Sequence, residues 1–172
     1  MSGAISSLPF FVPIMFIEPT YTTKQYWFTI LLAGFILGVL SSALYLLLYW
    51  FLYVQKSFLF SLIYLIPLLG STITVLFFKQ KFVWKEFSYG ATFKMSFIIG
   101  IISALIFGVV LFVAYNYFLE SRIDLYENIE NETLRRLMSP WAVSSSMFFI
   151  NVVLSLFYSL IFAIFAKKKI KE

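Results

Sequence analysis

The stretch SFIIGIISALIFG, Ser96 to Gly108, has a small residue at every fourth position of an otherwise bulky apolar run. Ser96, Gly100, Ala104 and Gly108 therefore share one face of an α-helix, because residues four apart are neighbours on a helix surface. Lipid tails are as apolar as leucine, so membrane helices associate through close packing at small residues rather than by burying leucine. The stretch predicts a membrane-spanning helix that packs through this small-residue face.

The composition of the whole chain also indicates that lipid surrounds most of it. The chain has 172 residues, of which 62% are hydrophobic and 12% charged, and its mean hydropathy is +0.93. A soluble domain usually carries about 25% charged residues. The sequence contains neither Cys nor His. Disulfides, thiolate chemistry, the usual imidazole base and the usual zinc ligands are therefore excluded.

Uncharged windows between charged residues define the spans. The windows Lys24 to Lys56, Lys56 to Lys79, Lys94 to Glu120 and Arg136 to Lys167 enclose 31, 22, 25 and 30 residues. A spanning helix needs about 20 apolar residues, so each window holds one helix and none holds two. We predict an all-α polytopic fold with four transmembrane helices, spans 1 to 4, with approximate cores at residues 26–52, 58–77, 95–118 and 141–166.

The domain organisation follows from these spans. Residues 24–172 are expected to form a single four-helix transmembrane domain. Residues 1–23 lack the basic residues of a signal peptide, and Pro9 and Pro13 interrupt their apolar run. We expect this N-terminal segment to be retained and to lie at the membrane interface.

Basic residues predict the orientation of the spans. Loops rich in Lys and Arg stay in the cytoplasm. One side of the membrane would carry nine basic residues and the other side four, namely Lys56, Arg122, Arg135 and Arg136. The bias predicts that both termini are cytoplasmic (N-in/C-in).

Two further spans have small residues at the same spacing. Span 1 carries Gly34, Gly38 and Ser42, and span 4 carries Asn151, Ser155, Ser159 and Ala163. Internal packing and a homodimer contact both remain open for these faces, and internal packing is favoured. An amide is costly in lipid, so Asn151 should point inward and hydrogen-bond another helix.

The stretch 79–94 alternates lysines with aromatic residues such as Phe87. Aromatic rings prefer the headgroup level, where lysines meet anionic lipid. We expect a segment on the cytoplasmic surface, and favour anchoring over a specific headgroup site or nucleic-acid binding. The predicted headgroup contacts are Lys79, Lys81, Trp84, Lys85, Lys94, Lys167, Lys168 and Lys169.

The third loop, residues 120–140, is the longest polar segment. Its apolar residues recur at roughly helical spacing with acids between them. This spacing predicts a short amphipathic helix that lies on the non-cytoplasmic face of the membrane that the four helices span. A docking site for a partner protein is the alternative. Ser139-Pro140 predicts an N-cap and first helical residue for span 4.

Residues 82–169 combine a basic, glycine-bearing approach to span 3, a Tyr near the end of that span, a Ser-Pro before span 4 and a lysine-rich tail. The positions are Gly90, Phe93, Lys94, Gly100, Tyr115, Ser139, Pro140 and Lys167–Lys169. This pattern resembles a family of small four-helix bacterial membrane proteins, common in Bacteroidetes and known as domain of unknown function 4199. The resemblance implies a multi-pass protein of the bacterial inner (cytoplasmic) membrane, and it implies no reaction.

The predicted function is a non-enzymatic scaffold or partner subunit. Proton or ion coupling normally leaves charged residues within the membrane, and the spans have none there. A small transporter or lipid flippase that works as an oligomer is the alternative. We predict no catalytic, cofactor-binding or metal-binding residue and no nucleic-acid partner. The expected partners are membrane lipids, with another membrane protein or a second copy of the chain left open.

Overall fold

The computed structural model describes residues 21–52, 58–83, 87–117, 132–137 and 139–166. These residues contain helices and no strands, which confirms the all-α prediction. The helices are α1 (Thr23–Leu52), α2 (Phe58–Phe82), α3 (Tyr89–Tyr117), α4 (Glu132–Leu137) and α5 (Pro140–Ala166). Spans 1 to 4 correspond to α1, α2, α3 and α5.

The four long helices have the length and the surface of membrane spans. They contain 30, 25, 29 and 27 residues, and all four are apolar enough to cross a membrane. At about 1.5 Å per residue, each is longer than a hydrocarbon core of about 30 Å. Large apolar side chains point outward, among them Phe28, Ile73 and Phe165 at 64%, 64% and 80% exposure. The chain is a multi-pass integral membrane protein.

Polar side chains cap the starts of three spans. The backbone N–H of Gln25 donates to Thr22 Oγ1 at 3.3 Å, and the Thr22 N–H donates to Gln25 Oε1 at 3.0 Å. This reciprocal pair is a capping box. Ser88 caps α3 with a single bond, in which Ser88 Oγ accepts the backbone N–H of Ala91 at 3.2 Å. Ser139 Oγ accepts the Ala142 N–H at 3.3 Å, which confirms the predicted N-cap of span 4.

Helices enter the stretch 79–94 from both sides. α2 continues to Phe82 and α3 already begins at Tyr89. Lysines mark where the hydrocarbon ends rather than where the helix ends, because their long side chains reach the headgroups from a helix that leaves the hydrocarbon. Phe87 is 2% exposed and its ring lies 6.3 Å from that of Phe78. Its ring therefore belongs to the protein core and not to the membrane surface.

Helices α1 and α3 run parallel. Gly34 faces Ile102, and Gly38, one turn further along α1, faces Ile106, one turn further along α3. The contact therefore advances in the same direction along both helices.

Helices α3 and α5 run antiparallel. Gly100 faces Ser155, whereas Gly108 faces Phe148, which lies earlier in α5. Since α1 is parallel to α3, the start of α1 and the end of α5 lie at the same end of the helix array. Which end faces the cytoplasm stays a prediction from the lysine distribution.

Helix α3 is the centre of the packing. It contacts each of the other three spans, and its interface with α5 is the most extensive one between the described helices. It contributes to both clusters of buried apolar side chains, one near each of its ends. These clusters are Ile30, Leu37, Val75, Phe78, Phe87, Met95 and Ile99 at one end, and Tyr45, Ile63, Phe107 and Leu111 at the other.

The predicted amphipathic helix of the third loop falls mostly outside the described residues. The described part is the six-residue helix α4, in which exposed Glu132 and Arg136 form a salt bridge of 2.6 Å. Residues 118–131 and 138 lie outside the description, so the amphipathic helix over 120–140 stays a prediction. Residues 1–20 of the N-terminal segment 1–23 also lie outside the described residues.

Candidate functional site

The helix interfaces are the candidate functional site, because the predicted packing residues come together there. All of the predicted small-residue positions are buried in the structure. They are Gly34, Gly38 and Ser42 on α1, Ser96, Gly100, Ala104 and Gly108 on α3, and Asn151, Ser155, Ser159 and Ala163 on α5. None of them faces the lipid, so the internal packing of one chain accounts for their burial.

The closest approach of α3 and α5 lies at Gly100. A Cβ atom built on Gly100 would lie 2.5 Å from Ser155 Cβ, and it would also overlap Ser155 Oγ. Real Cβ atoms do not approach that closely. Two small residues therefore face each other here, and any side chain on Gly100 would push the helices apart.

The second α3–α5 contact, at Gly108, is looser. A Cβ atom there would lie 3.3 Å from Phe148 Cβ and 3.6 Å from the carbonyl oxygen of Ser144. The first distance is slightly tight and would require Phe148 to shift by a few tenths of an ångström, and the second is an ordinary van der Waals contact. Gly100 and Gly108 have equivalent positions in the sequence pattern. In the structure, the α3–α5 contact is much closer at Gly100 than at Gly108.

The interface between α1 and α3 is built differently. A Cβ atom on Gly38 would lie 2.6 Å from Ile106 Cβ and 2.9 Å from the carbonyl oxygen of Ser103. Gly34 receives Ile102 in the same way, at 2.7 Å. Each glycine of α1 is therefore a notch for a branched side chain of α3, and not a partner for the small-residue face of α3.

The small-residue face of α3 packs against two different helices along its length. Ser96 Oγ lies 3.4 Å from Ser71 Oγ of α2, a hydrogen bond at the long end of the range. Gly100 and Gly108, further along, face α5. A step of four residues advances about 40° beyond one full turn, so such a face winds around its helix and meets two neighbours in succession.

Sequence reasoning missed a third tight contact, between α1 and α2. A Cβ atom on Gly70 would overlap Leu37 Cδ2 and would lie 2.8 Å from Leu37 Cδ1. Gly70 is an isolated glycine rather than part of a four-residue register. Its one signal in the sequence was the neighbouring Ser71, which makes a small pair in an otherwise bulky span.

Asn151 points into the protein, as expected, but its hydrogen bond differs from the prediction. Its side chain is 5% exposed, and Nδ2 donates to the carbonyl oxygen of Met147, one turn earlier in α5, at 2.8 Å. The carbonyl at i−4 is the nearest acceptor for a short polar side chain within a helix. The amide nitrogen thus binds its own helix and not a neighbouring one.

Some buried hydroxyls also bind their own helices. Ser42 Oγ donates to the Gly38 carbonyl at 2.7 Å, and Ser144 Oγ donates to the Pro140 carbonyl. Such internal bonds satisfy a hydroxyl without a ligand or a second helix. Among the described residues, three buried hydroxyls have no hydrogen-bond partner: Ser41, Thr92 and Ser103.

Three tyrosines make two polar contacts between helices that the sequence did not reveal. The hydroxyls of Tyr45 in α1 and Tyr115 in α3 lie 2.9 Å apart. Tyr64 Oη in α2 donates to Met147 Sδ in α5 at 3.3 Å. These contacts tie α1 to α3 and α2 to α5 at the end of the array where α5 begins.

The predicted headgroup contacts are described only in part. Lys81 and Lys94 are exposed, Lys79 is half-buried, and Lys81 Nζ lies 5.3 Å from the centre of the Phe82 ring. Trp84, Lys85 and residues 167–169 lie outside the described residues. Contact of all these residues with lipid headgroups stays a prediction.

The described residues hold no group of three or more His, Cys, Asp or Glu side chains that could bind a metal ion. Comparison with protein-family models, with curated proteins and with solved structures found no match to this chain. The resemblance to the Bacteroidetes family thus stays a prediction.

Proposed function

We propose that this protein is a non-enzymatic scaffold or partner subunit of the bacterial inner membrane. The observation that supports the proposal best is the contact of Gly100 with Ser155. Two helices that meet this closely have little freedom to slide, since neither side has a flexible side chain that can rearrange. A rigid array suits a subunit that holds other proteins in place.

Three polar side chains of the interior support the same proposal. Ser42, Ser144 and Asn151 donate hydrogen bonds to carbonyls of their own helices. The sequence also lacks charged residues between Lys94 and Glu120, and in the corresponding central parts of the other spans. Proton-coupled or ion-coupled membrane proteins usually carry charged groups there.

The test is purification of the tagged chain from native membranes at its natural expression level. We expect one other membrane protein at a constant ratio, and we expect the level of that protein to fall in a strain that lacks this chain. The matched control is a strain carrying Val113→Leu, a change of an exposed residue that leaves the packing intact. Recovery of this chain alone at several expression levels would refute the scaffold proposal.

The proposed orientation has a separate test. The chain has no native cysteine, so single cysteines can be introduced without a background. With both termini in the cytoplasm, a membrane-impermeant thiol reagent should label Ser121→Cys from outside intact cells. The same reagent should label Glu172→Cys only after the cells are opened. The reverse pattern would overturn the orientation.

A small transporter or lipid flippase is the second candidate function. The three buried hydroxyls without a partner, Ser41, Thr92 and Ser103, favour it, because an unpaired polar group in a membrane is a candidate contact for a polar solute. Purified protein in liposomes should then catalyse solute flux or lipid scrambling, and Ser103→Ala should reduce the rate. A rate equal to that of protein-free liposomes removes this candidate.

A further inference from the structure

An apolar groove of about 390 Å³ lies between α3 and α5, near the start of α5. One wall includes Val109 and Phe112 of α3, and the other includes Trp141, Ser145 and Phe149 of α5. Most of these side chains are exposed, with Trp141 at 72%, so the groove opens on the outward surface. In a multi-pass protein that surface meets the bilayer. The groove is therefore a concave feature in contact with lipid.

The chemistry of the lining suits hydrocarbon. Its two hydroxyls are both engaged with α5 itself: Ser144 donates to the Pro140 carbonyl, and Ser145 donates to the Ala142 carbonyl at 3.1 Å. The remaining lining residues are apolar apart from the indole of Trp141. The groove has no free hydroxyl to recognise a polar solute.

The length of the groove distinguishes an acyl chain from a protein helix. The α5 wall runs from Trp141 to Phe149, which is about 12 Å at 1.5 Å per residue. One leaflet has a hydrocarbon depth of about 15 Å, half of the full core. A transmembrane helix of a partner would need a groove along the whole span of about 30 Å.

The position of Trp141 places the open end of the groove at the headgroup level. Trp141 is the second residue of α5, and its ring packs edge-on against Phe112 at 6.1 Å. Tryptophan favours the boundary between headgroups and hydrocarbon. We propose that the groove binds one acyl chain of a phospholipid, in the leaflet where α5 begins.

Fluorescence of Trp141 tests this proposal directly. The substitutions Trp27→Phe, Trp50→Phe and Trp84→Phe leave Trp141 as the only tryptophan. Phosphatidylglycerol with brominated acyl chains, which quench indole on contact, is titrated into the protein in detergent micelles. We expect quenching that saturates at about one lipid per chain, as a single site requires.

A matched pair of variants distinguishes the groove from the general lipid surface. Val109 lines the groove, whereas Val113, one turn further along α3, does not, and the two are 54% and 41% exposed. Val109→Phe should raise the lipid concentration for half-quenching by about tenfold, and Val113→Phe by less than about twofold. Ser145→Leu and its neighbour Ser146→Leu repeat the comparison from the α5 wall. Circular dichroism and thermal unfolding verify that each variant is folded.

Three results would overturn the proposal. Quenching that rises in proportion to the lipid content of the micelle, without saturation, means contact with bulk lipid only. Equal effects of Val109→Phe and Val113→Phe mean that the groove is not the site. Unchanged quenching in Val109→Phe, together with loss of a dimer detected by light scattering, assigns the groove to a second copy of the chain.

Discussion

The two main interfaces of α3 use small residues in different ways. Against α1, a branched side chain of α3 enters a notch: Ile106 fits where Gly38 has no side chain, and Ile102 fits at Gly34. Against α5, small residues lie on both sides, with Gly100 opposite Ser155. Small-xxx-small spacing marks helices that approach closely, but it is compatible with both arrangements.

This difference predicts which of the two interfaces can tolerate a compensating substitution. At Gly38 one of the two nearest groups is the backbone carbonyl of Ser103, which cannot move without its helix. At Gly100 the nearest groups are side-chain atoms of Ser155, and a smaller residue would remove both of them. The α3–α5 contact should therefore accept compensating changes, whereas the α1–α3 contact should not.

Gly100→Leu should produce the largest effect. A leucine side chain would extend into the backbone of α5, and overpacking of that kind costs about 3 kcal/mol or more. Unfolding in mixed detergent and SDS micelles measures the loss. Val113→Leu, on the exposed side of α3, is the control and should match the wild type. Wild-type stability of Gly100→Leu would mean that α5 does not pack at this face.

Gly38→Ala should cost about 2 kcal/mol, because the added methyl group lies inside the contact distance of two groups at once. Adding Ile106→Gly should not restore the lost stability, since the Ser103 carbonyl stays 2.9 Å from the new methyl group. The measurement is the same unfolding titration on the single and the double variant. Full recovery in the double variant would show that the backbone contact is unimportant.

Gly100→Ala should cost slightly less, about 1 to 2 kcal/mol, and should be rescued by a second change. Ser155→Gly removes both clashing atoms and leaves the Cα of residue 155 at 3.7 Å, an ordinary contact. A double-mutant cycle measures the coupling between the two sites. The comparison of the interfaces fails if Gly100→Ala and the double variant are equally unstable.

Gly108→Ala should have the smallest effect, within about 0.5 kcal/mol of the wild type, because the slight crowding is offset by the better helix propensity of alanine. Gly90→Ala is the control without crowding, since no atom other than those of its chain neighbours and its own helix backbone lies within 4 Å of its Cβ position, and it should be neutral or slightly stabilising. Thermal unfolding in detergent compares the two. A loss at Gly108 as large as at Gly100 would show that both positions are tight.

Much of the fold was predictable because the bilayer imposes simple rules. Window length and apolar composition predicted the four spans, and Ser139-Pro140 predicted the start of α5 to within one residue. The helices continue past the predicted spans near residues 77 and 95, because lysines mark the edge of the hydrocarbon and a helix can extend beyond it. The burial of Phe87 was unpredictable for a related reason: an aromatic residue among lysines has the same pattern at a membrane surface and at the end of a protein core.

The sequence could not predict which helix packs against each small-residue face. A register of small residues indicates that something packs closely, and it carries no information about which helix does so. Ile102 and Ile106 are bulky and lipid-compatible, so nothing marked them as the residues that enter the notches of α1. Gly70 and the hydroxyl pair of Tyr45 and Tyr115 depend on single residues, for which a periodic pattern provides no signal.

The central place of α3 has a consequence for biosynthesis. Translation releases α1, α2 and α3 first, and the chain from Tyr117 to Ala166 must still be made before α5 is complete. At about 5 to 20 residues per second, this interval lasts roughly 2 to 10 s. Throughout it, Gly100 lies uncovered on a nascent bundle of three helices. The face of α3 that later packs against α5 is therefore exposed during those seconds, and a neighbouring nascent chain can bind to it.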